Sequence, residues 1–165
     1  MITLELIARQ NALIFKDLRL RALQDTPSAF GSTYAQECQL TDAEWVERAA
    51  QWTGERSTGY LAIDAGIPCG IAGALLDQDD ATRAHLVSMW VAPPHRRLGI
   101  GRSLVDVILA WARTRSVRTL QLMVTCNNDL AIRFYQRLGF VLTGQTGPYP
   151  NDPALIEYEM SRSIS

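Results

Sequence analysis

A glycine-bearing turn between a predicted strand and a predicted helix is the segment best suited to bind a phosphate group. It carries Gly99 and Gly101, with Arg96, Arg97 and Arg102 beside them. The first N–H groups of a helix have no partner inside the helix, and the helix dipole adds positive potential at that end. Glycine lets those N–H groups reach phosphate oxygens because no Cβ stands in the way. The turn therefore predicts a cradle for a phosphorylated ligand.

Two familiar nucleotide-binding motifs do not match this turn. A Walker loop ends in Lys followed by Ser or Thr, whereas the single lysine of the chain is Lys16. A dinucleotide fingerprint has a third glycine where Ser103 and Leu104 stand, and it needs an acidic residue that is missing near Leu120. The glycine spacing by itself leaves an alternative open, in which the two glycines only permit a tight helix start.

The charge distribution favours an anionic ligand at the same place. The whole chain has a formal net charge of −1. Residues 1–82 hold 12 acidic and 6 basic side chains, whereas residues 83–137 hold nine arginines against Asp106 and Asp129. A local basic patch in a nearly neutral protein favours one anionic ligand over general binding to nucleic acid. A solvated basic face, balanced by acids of the first half, is the alternative.

The elements that would position this turn predict a mixed α/β protein built on one sheet. Alternating apolar residues predict strands at residues 2–8, 60–64, 69–76, 86–91, 120–126, 140–143 and 155–161. Helical spacing predicts helices from Asn11, from the capping box of Thr41 and Glu44, from about Ile100, and from Asn127 or Asn128 to Leu138. The order is therefore β-α-α-β-β-β-α-β-α-β-β, in a single domain over residues 1–165.

Composition argues against several protein classes. No apolar run reaches the ~18 residues of a membrane-spanning helix, and the first residues lack the basic and apolar regions of a secretory signal. Cys38, Cys69 and Cys126 are scattered and odd in number, which is typical of free thiols in a reducing compartment. Together with His85 and His95 they give no metal-ligand spacing. We therefore expect a cytoplasmic protein with neither a bound metal nor a membrane partner.

Two motifs stand at the glycine turn and in the helix that follows the next strand. They are Arg96-x-x-Gly99-x-Gly101 and Asn128-x-x-Ala131-x-x-x-Tyr135-x-x-Leu138-Gly139-Phe140. They resemble the R/Q-x-x-G-x-G/A and N-x-x-A-x-x-x-Y-x-x-x-G-F motifs of the GNAT superfamily of acetyl-coenzyme A-dependent N-acetyltransferases. The specific likeness covers residues 86–140, and residues 18–32 match the family's first two helices more loosely. The resemblance implies a GNAT-like acyl-CoA N-acyltransferase fold.

The resemblance also implies acetyl-coenzyme A as the acetyl donor and gives roles to residues around the turn. Backbone N–H groups of residues 97–103 would hold the pyrophosphate, and the strand from Met89 to Val91 would pair with the pantetheine arm. The N–H of Val91 would polarise the thioester carbonyl, and Asn128 would contact the pantetheine or only cap its helix. The expected cofactor residues are Met89, Trp90, Val91, Arg96, Arg97, Leu98, Gly99, Ile100, Gly101, Arg102, Ser103, Asn128 and Ala131.

The same resemblance implies Tyr135 as the general acid that protonates the leaving sulfur, with a packed core tyrosine as the alternative. An amine acceptor with a pKa near ~10.4 is protonated at neutral pH and needs a base. Family members often place a carboxylate near the start of the strand before the turn. This chain has His85 there, and a neutral imidazole suits the task. Glu37 and Glu44, from the first helices, are competing candidates.

The acceptor site is expected where the connection of the first helices meets the last hairpin, with Phe30, Tyr34 and Tyr149 as wall residues. Strand alternation puts Trp90 on the face opposite its neighbours, where it lines the cleft or packs under the next helix. No arrangement of residues indicates a covalent intermediate, although Cys126 leaves a two-step route open.

The preferred interpretation is an N-acetyltransferase that acetylates a primary amine of a small molecule. A protein or peptide N-terminus or lysine is the alternative acceptor, since a peptide needs an open groove and a small amine needs a closed pocket. The alternative from another class is a coenzyme A-binding sensor or interaction module without catalysis. Nucleic acid is not expected as a partner, and exposed strand edges at the C-terminus leave a homodimer open.

Overall fold

The computed structural model describes residues 1–27, 32–150 and 152–164, which form one seven-stranded mixed sheet flanked by helices. The strands are β1 (Ile2–Leu6), β2 (Ser57–Asp64), β3 (Ile67–Leu76), β4 (Arg83–Val91), β5 (Thr119–Thr125), β6 (Val141–Tyr149) and β7 (Asp152–Ser163). The helices are α1 (Ala12–Asp25), α2 (Tyr34–Glu37), α3 (Asp42–Ala50), α4 (Ile100–Thr114) and α5 (Asp129–Arg137). The predicted fold class is confirmed.

The sheet consists of two antiparallel halves joined along a short parallel seam. Its strand order is β1-β2-β3-β4-β5-β7-β6. The first half is the meander β1 to β4, and the second half consists of β5, β7 and β6. The chain crosses between the halves through α4, since parallel neighbours need a long crossover. At the seam, Arg83–His85 pair with residues 119–121, and beyond them the ladder between β4 and β5 ends.

Helices cover both faces of the first half. A Cβ added at Gly70 would meet Leu104 of α4 at 3.2 Å. A Cβ added at Gly73 would meet Trp52, which follows α3, at 2.7 Å. Gly70 and Gly73 are three residues apart, so they point to opposite faces of β3. α4 therefore covers one face of β3, and Trp52, which follows α3, covers the other.

α4 is amphipathic, and its apolar stripe explains how it packs. Leu104, Ile108 and Ala112 recur at a spacing of four residues and are fully buried. Burying a leucine or isoleucine side chain contributes about 1.5–3 kcal/mol, so this stripe holds the crossover helix firmly on the sheet. Within the described parts of the chain, no helix is long and apolar enough to cross a membrane.

The largest differences from the prediction are a short added helix and a longer last hairpin. A short helix, α2, follows Thr33, whose hydroxyl accepts the Gln36 N–H at 3.2 Å and so begins a turn where only a connection was predicted. The last hairpin is longer than predicted, because β6 runs through Pro148 to Tyr149. Proline lacks the N–H that a central strand needs, but β6 is an edge strand, where proline is tolerated.

Candidate active site

A cavity of about 440 Å³ lies where β4 and β5 stop pairing. This volume is in the range of pockets for small ligands. Its described wall consists of Arg19, Ser32, Leu75, residues 85–89 of β4, residues 122–125 of β5, Asn128, Ala131, Tyr135 and Glu157. The cavity is therefore bounded by both halves of the sheet and by α5.

β4 carries a bulge in the wall of this cavity. Between Val87 and Trp90, β4 holds one residue more than the facing part of β3. Ser88 in the bulge has a left-handed φ of 56°, and its hydroxyl accepts a hydrogen bond from Arg19 at 2.9 Å. A bulge changes which face the following side chains point to. The alternation of side chains between the two faces of the sheet is therefore interrupted at Ser88, and it restarts with the opposite phase after the bulge.

Two side chains expected at the cofactor contact the end of α1. The Trp90 Nε1–H donates to Asp25 at 2.9 Å, and Arg96 donates to the same carboxylate at 2.6 Å and to the Val91 carbonyl at 2.8 Å. Burial acts to raise the pKa of Asp25, but hydrogen bonds, first from Trp90 and then from Thr26 and Arg96, outweigh it and lower that pKa. The Trp90 side chain therefore faces α1 rather than the cleft or α4, and Arg96 holds the turn against α1.

The backbone N–H of Val91 points toward the gap. The next residue, Ala92, donates its N–H to the Cys69 carbonyl of β3 at 2.8 Å. Successive N–H groups of a strand point to alternate sides, so the N–H of Val91 points away from β3. It lies beyond the last pair of the β4–β5 seam, where a ligand carbonyl could accept it.

The glycine turn opens α4 with backbone donors that have no helical acceptor. The N–H of Ser103 bonds to the Gly99 carbonyl at 3.0 Å and is the first helical hydrogen bond. The N–H groups of residues 100–102 thus lack an acceptor within the helix. Arg97 and Gly99 have left-handed φ values of 65° and 83°, which turn the backbone sharply before the helix. These features suit an anionic group.

The second glycine of the turn is required by contact rather than by φ. A Cβ at Gly101 would lie 2.9 Å from Phe134 Cζ and 3.2 Å from Met89 Cε. Real Cβ atoms essentially never show a contact of 2.9 Å, and 3.2 Å is tighter than most, so glycine allows the first turn of α4 to touch both α5 and β4. Since Met89 also lines the cavity, the start of α4 lies next to the cavity.

The side chains of the turn differ in what they can contribute. Arg97 and Arg102 are exposed, and Leu98 is also exposed. Ile100 is buried in the core, so only its backbone N–H can reach a ligand. The Ser103 hydroxyl donates to a backbone carbonyl at 3.1 Å. The exposed arginines are therefore the side chains that can meet an anion from solvent.

Asn128 both caps α5 and lines the cavity. Its Oδ1 accepts the N–H of Ala131 at 3.2 Å, and both residues belong to the wall. The capping role that the sequence predicts for Asn128 is confirmed. Contact of Asn128 or Ala131 with a ligand stays a prediction.

Tyr135 is placed in the wall by the amphipathic α5. Its ring packs edge-on against Phe134 and Phe140, with ring centroids 5.2 and 5.6 Å away. The residue is 8% exposed. Burial raises the pKa of the Tyr135 phenol well above its ordinary value. The side chain therefore stays protonated at neutral pH.

His85 lines the cavity and is oriented by a carboxylate that the sequence did not single out. The His85 Nε2 lies 2.7 Å from Asp77 Oδ2, and the other Asp77 oxygen accepts the N–H groups of Asp79 and Asp80. The hydrogen bond with His85 and then that of Asp79 lower the pKa of Asp77. When the imidazole donates its Nε2–H to Asp77, Nδ1 is left as a proton acceptor.

The competing base candidates, Glu37 and Glu44, are used by the fold. Glu37 is 3% exposed and accepts from Arg19 through both oxygens at 3.0 Å, and from Arg48 at 3.1 Å. Burial acts to raise the pKa of Glu37, but the hydrogen bonds and charge of Arg19 outweigh it and lower that pKa. Glu44 accepts the Thr41 N–H at 3.1 Å in the capping box. Neither belongs to the described wall of the cavity.

Glu157 is a wall residue that the sequence analysis missed. It is half-buried on β7, directly opposite Thr125 of β5. Burial raises the pKa of Glu157, and no described residue acts against that shift. Thr125 is 2% exposed, and its Oγ1 has no hydrogen-bond partner among the described residues. Only the register of β5 with β7 brings the two together, so no local motif could have shown them.

The tyrosines predicted for the acceptor site line a second cavity. Tyr34 and Tyr149 belong to a cavity of about 420 Å³ that shares no described wall residue with the first. The Tyr149 hydroxyl donates to the Pro27 carbonyl at 3.0 Å. The first connection and the last hairpin thus meet as predicted, but their tyrosines do not join Tyr135. Phe30 lies outside the described residues.

Comparison with known families gives one match over most of the chain. The sequence model of a family described as the acetyltransferase (GNAT) family matches residues 20–140. A solved structure of an acetyltransferase of the GNAT family from Streptococcus pneumoniae has a TM-score of 0.84 to this chain, with 23% identity and full coverage of both chains. That structure shows the fold alone.

Characterised relatives share shorter stretches. The [ribosomal protein bS18]-alanine N-acetyltransferase of Escherichia coli is 33% identical over 97 residues, which cover 58% of this chain and 64% of that protein. Mycothiol acetyltransferase of Geodermatophilus obscurus is 30% identical over 114 residues, which cover 67% of this chain and 35% of that protein. The chain thus spans less than two thirds of the length of these relatives.

Proposed function

The chain belongs to the GNAT family of acetyltransferases, and we propose that it transfers the acetyl group of acetyl-coenzyme A directly to a primary amine of a small molecule. The observation that carries the proposal is the cavity at the end of the β4–β5 seam, because Tyr135 and His85 both line it. A proton donor and a proton acceptor around one small cavity are what acyl transfer to an amine requires.

The residues proposed to hold the donor lie from β4 to α5. The N–H groups of residues 100–102, together with Arg97 and Arg102, would bind the pyrophosphate. The N–H of Val91 would bind an oxygen of the donor where β4 no longer pairs with β5. Acetyl-coenzyme A supplies a thioester, whose carbonyl carbon is the group that an amine attacks.

Two side chains are proposed to move protons. His85, oriented by Asp77, accepts the proton that an ammonium must lose before it can attack. Tyr135 is protonated at neutral pH because burial raises its pKa. It would donate this proton to the sulfur as the C–S bond breaks and recover a proton from the acetylated nitrogen, which must lose one to become an amide. Cys126 is not part of the described wall, which supports direct transfer over a route through an acetylated cysteine.

The acceptor is proposed to be a small molecule because the cavity volume of about 440 Å³ suits one. A peptide N-terminus is the second candidate, since the relative from Escherichia coli acts on an alanine of a ribosomal protein. A non-catalytic coenzyme A sensor would not need an imidazole oriented by Asp77 and a tyrosine in the same cavity wall. Cys38, Cys69 and Cys126 are free thiols, which supports a location in the cytoplasm, where thiols stay reduced.

Calorimetric titration with acetyl-coenzyme A is the test of the donor site. The wild type is expected to bind, and Gly101→Glu is expected to lose binding because the new side chain meets Phe134 and adds negative charge at the start of α4. Gly54→Glu adds the same charge where a Cβ makes only ordinary contacts, and it should bind as the wild type does.

If Gly101→Glu fails to fold, Arg102→Glu keeps the test open, because Arg102 is exposed. Unchanged binding in both variants would remove the donor from this turn. Release of free thiol in the presence of primary amines then reports acetyl transfer, and a wild type that binds no acetyl-coenzyme A would overturn the proposed function.

A further inference from the structure

We infer that Glu157 and Thr125 form a subsite for a second positive charge on the acceptor, so that the favoured acceptors are diamines or polyamines. This inference rests on the proposed acetyl transfer and names the substrate class for it. One amino group of the acceptor would react near His85, while the other would be held between the Glu157 carboxylate and the Thr125 hydroxyl.

The register of the strands puts the three side chains on one face of the sheet. His85 of β4 lies opposite Gln121 of β5, and Thr125 of β5 lies opposite Glu157 of β7. Directly paired residues point to the same face, and residues 121 and 125 of one strand do so as well. An acceptor on this face therefore has His85 and Glu157 along the same surface.

This face is the one that α4 does not cover. Leu86, next to His85, lies opposite Ala74, which shares a face of β3 with Gly70. Gly70 points at Leu104 of α4. His85 therefore points to the opposite face, whereas Tyr135 belongs to α5, which touches the start of α4. Acceptor and proton donor thus approach the cavity from opposite sides of the sheet.

Glu157 differs from the other acids of this face in having no partner among the described residues. Glu159 accepts a hydrogen bond from Gln121 at 3.0 Å, and Asp77 is bound to His85 at 2.7 Å. For Glu157, burial alone acts on the carboxyl group, and burial raises its pKa. Removing a carboxylate from water without a partner is unfavourable, so a cation from outside the chain would complete this group.

Thr125 supplies the second, independent observation. Its side-chain oxygen is buried in the wall and has no hydrogen-bond partner within the described part of the chain. Most buried side-chain polar atoms have one. An ammonium group has three N–H donors, and it can use a carboxylate oxygen and a hydroxyl oxygen at the same time. The chemistry of the pair thus matches a primary ammonium.

The test compares two amines of equal length that differ by one charge, 1,5-diaminopentane and n-pentylamine. The wild type should have a kcat/KM about 10- to 100-fold higher for the diamine, as expected for a hydrogen bond to a charged group. In Glu157→Gln the ratio should fall close to 1. Glu159→Gln, two residues along β7, should keep the ratio of the wild type.

The outcomes distinguish a failure of the charge subsite from a failure of the proposed acetyl transfer. Equal use of the two amines by the wild type, or a diamine preference that survives in Glu157→Gln, would overturn the subsite. A wild type that binds acetyl-coenzyme A but acetylates neither amine also overturns it, without touching the donor site. If Glu157→Gln does not fold, Glu157→Asp should show a reduced preference because its carboxylate is one methylene farther away.

Discussion

Glu37 is bound to a residue of the cavity wall, whereas Glu157 is itself part of that wall, and the two acids meet opposite electrostatic surroundings. Glu37 is almost fully buried and is bound by Arg19 and Arg48, and these partners lower its pKa. Glu157 is half-buried in the cavity wall, and its pKa is raised because nothing within the described residues offsets its burial. One glutamate thus stabilises the fold, whereas the other is left to bind the proposed ligand.

The difference lies in what each acid does for its neighbours. Arg19, which binds Glu37, also donates to Ser88 in the bulge of β4. The ion pair therefore links α1, α2 and the cavity wall, and it keeps the bulge in place. Glu157 makes no comparable link among the described residues, so we expect its substitution to leave the fold unchanged.

The largest expected effect is on stability, and it separates the two glutamates. Glu37→Gln should lower the free energy of unfolding by about 3–5 kcal/mol, because it removes the carboxylate of a buried ion pair with Arg19. Glu157→Gln should lose no stability, since Glu157 has no partner among the described residues and a half-buried charge is removed. Urea unfolding of both variants measures this, and a comparable loss in Glu157→Gln would contradict the comparison.

A smaller effect is expected on turnover at Tyr135, a buried phenol that must hold its proton until the sulfur leaves. Tyr135→Phe should lower kcat about 100-fold by removing the proton donor, whereas Glu157→Gln should act mainly on the KM of a diamine. Because burial raises the pKa of Tyr135, the kcat of the wild type should not fall near pH 10, where an ordinary tyrosine ionises. Pre-steady-state acetyl transfer from pH 7 to 10 checks both points, and a turnover decline with an apparent pKa near 10 would count against this role.

The smallest effect compares two threonine hydroxyls, one with partners and one without. Thr41 caps α3 and accepts the Glu44 N–H, so Thr41→Ala should reduce stability by about 1 kcal/mol. Thr125→Val keeps the shape but removes a hydroxyl that has no described partner, and its stability should stay within about 0.5 kcal/mol of the wild type. Its KM for 1,5-diaminopentane should rise about fivefold. A stability loss in Thr125→Val equal to that of Thr41→Ala would show that Thr125 is bound within the protein.

The parts of the site that the sequence predicts well are those that depend on local backbone. The start of α4 requires a left-handed residue at Gly99 and close contact at Gly101, and both requirements leave glycines in the sequence. Asn128 marks the start of α5, and the helical spacing then carries Tyr135 to the cavity wall. In a helix, the number of residues between Asn128 and Tyr135 is enough to predict on which side of α5 Tyr135 lies.

The parts that the sequence does not predict depend on contacts between distant strands. Glu157 and Thr125 meet through the register of β5 with β7, and Asp77 reaches His85 across the β3–β4 connection. The bulge at Ser88 redirects the strand, which is why Trp90 faces α1 and not the cleft. A serine with positive φ carries no sequence signal comparable to glycine.

The short seam between β4 and β5 has an evolutionary consequence. β4 is supported by the meander that ends in it, whereas β5 and β7 are supported by each other and by β6. The proposed donor site belongs mainly to β4 and α4, and the inferred charge subsite belongs to β5 and β7. A substitution along β7 would therefore change the inferred charge subsite without altering β4 or α4, so acceptor choice and donor binding could evolve separately on this sheet.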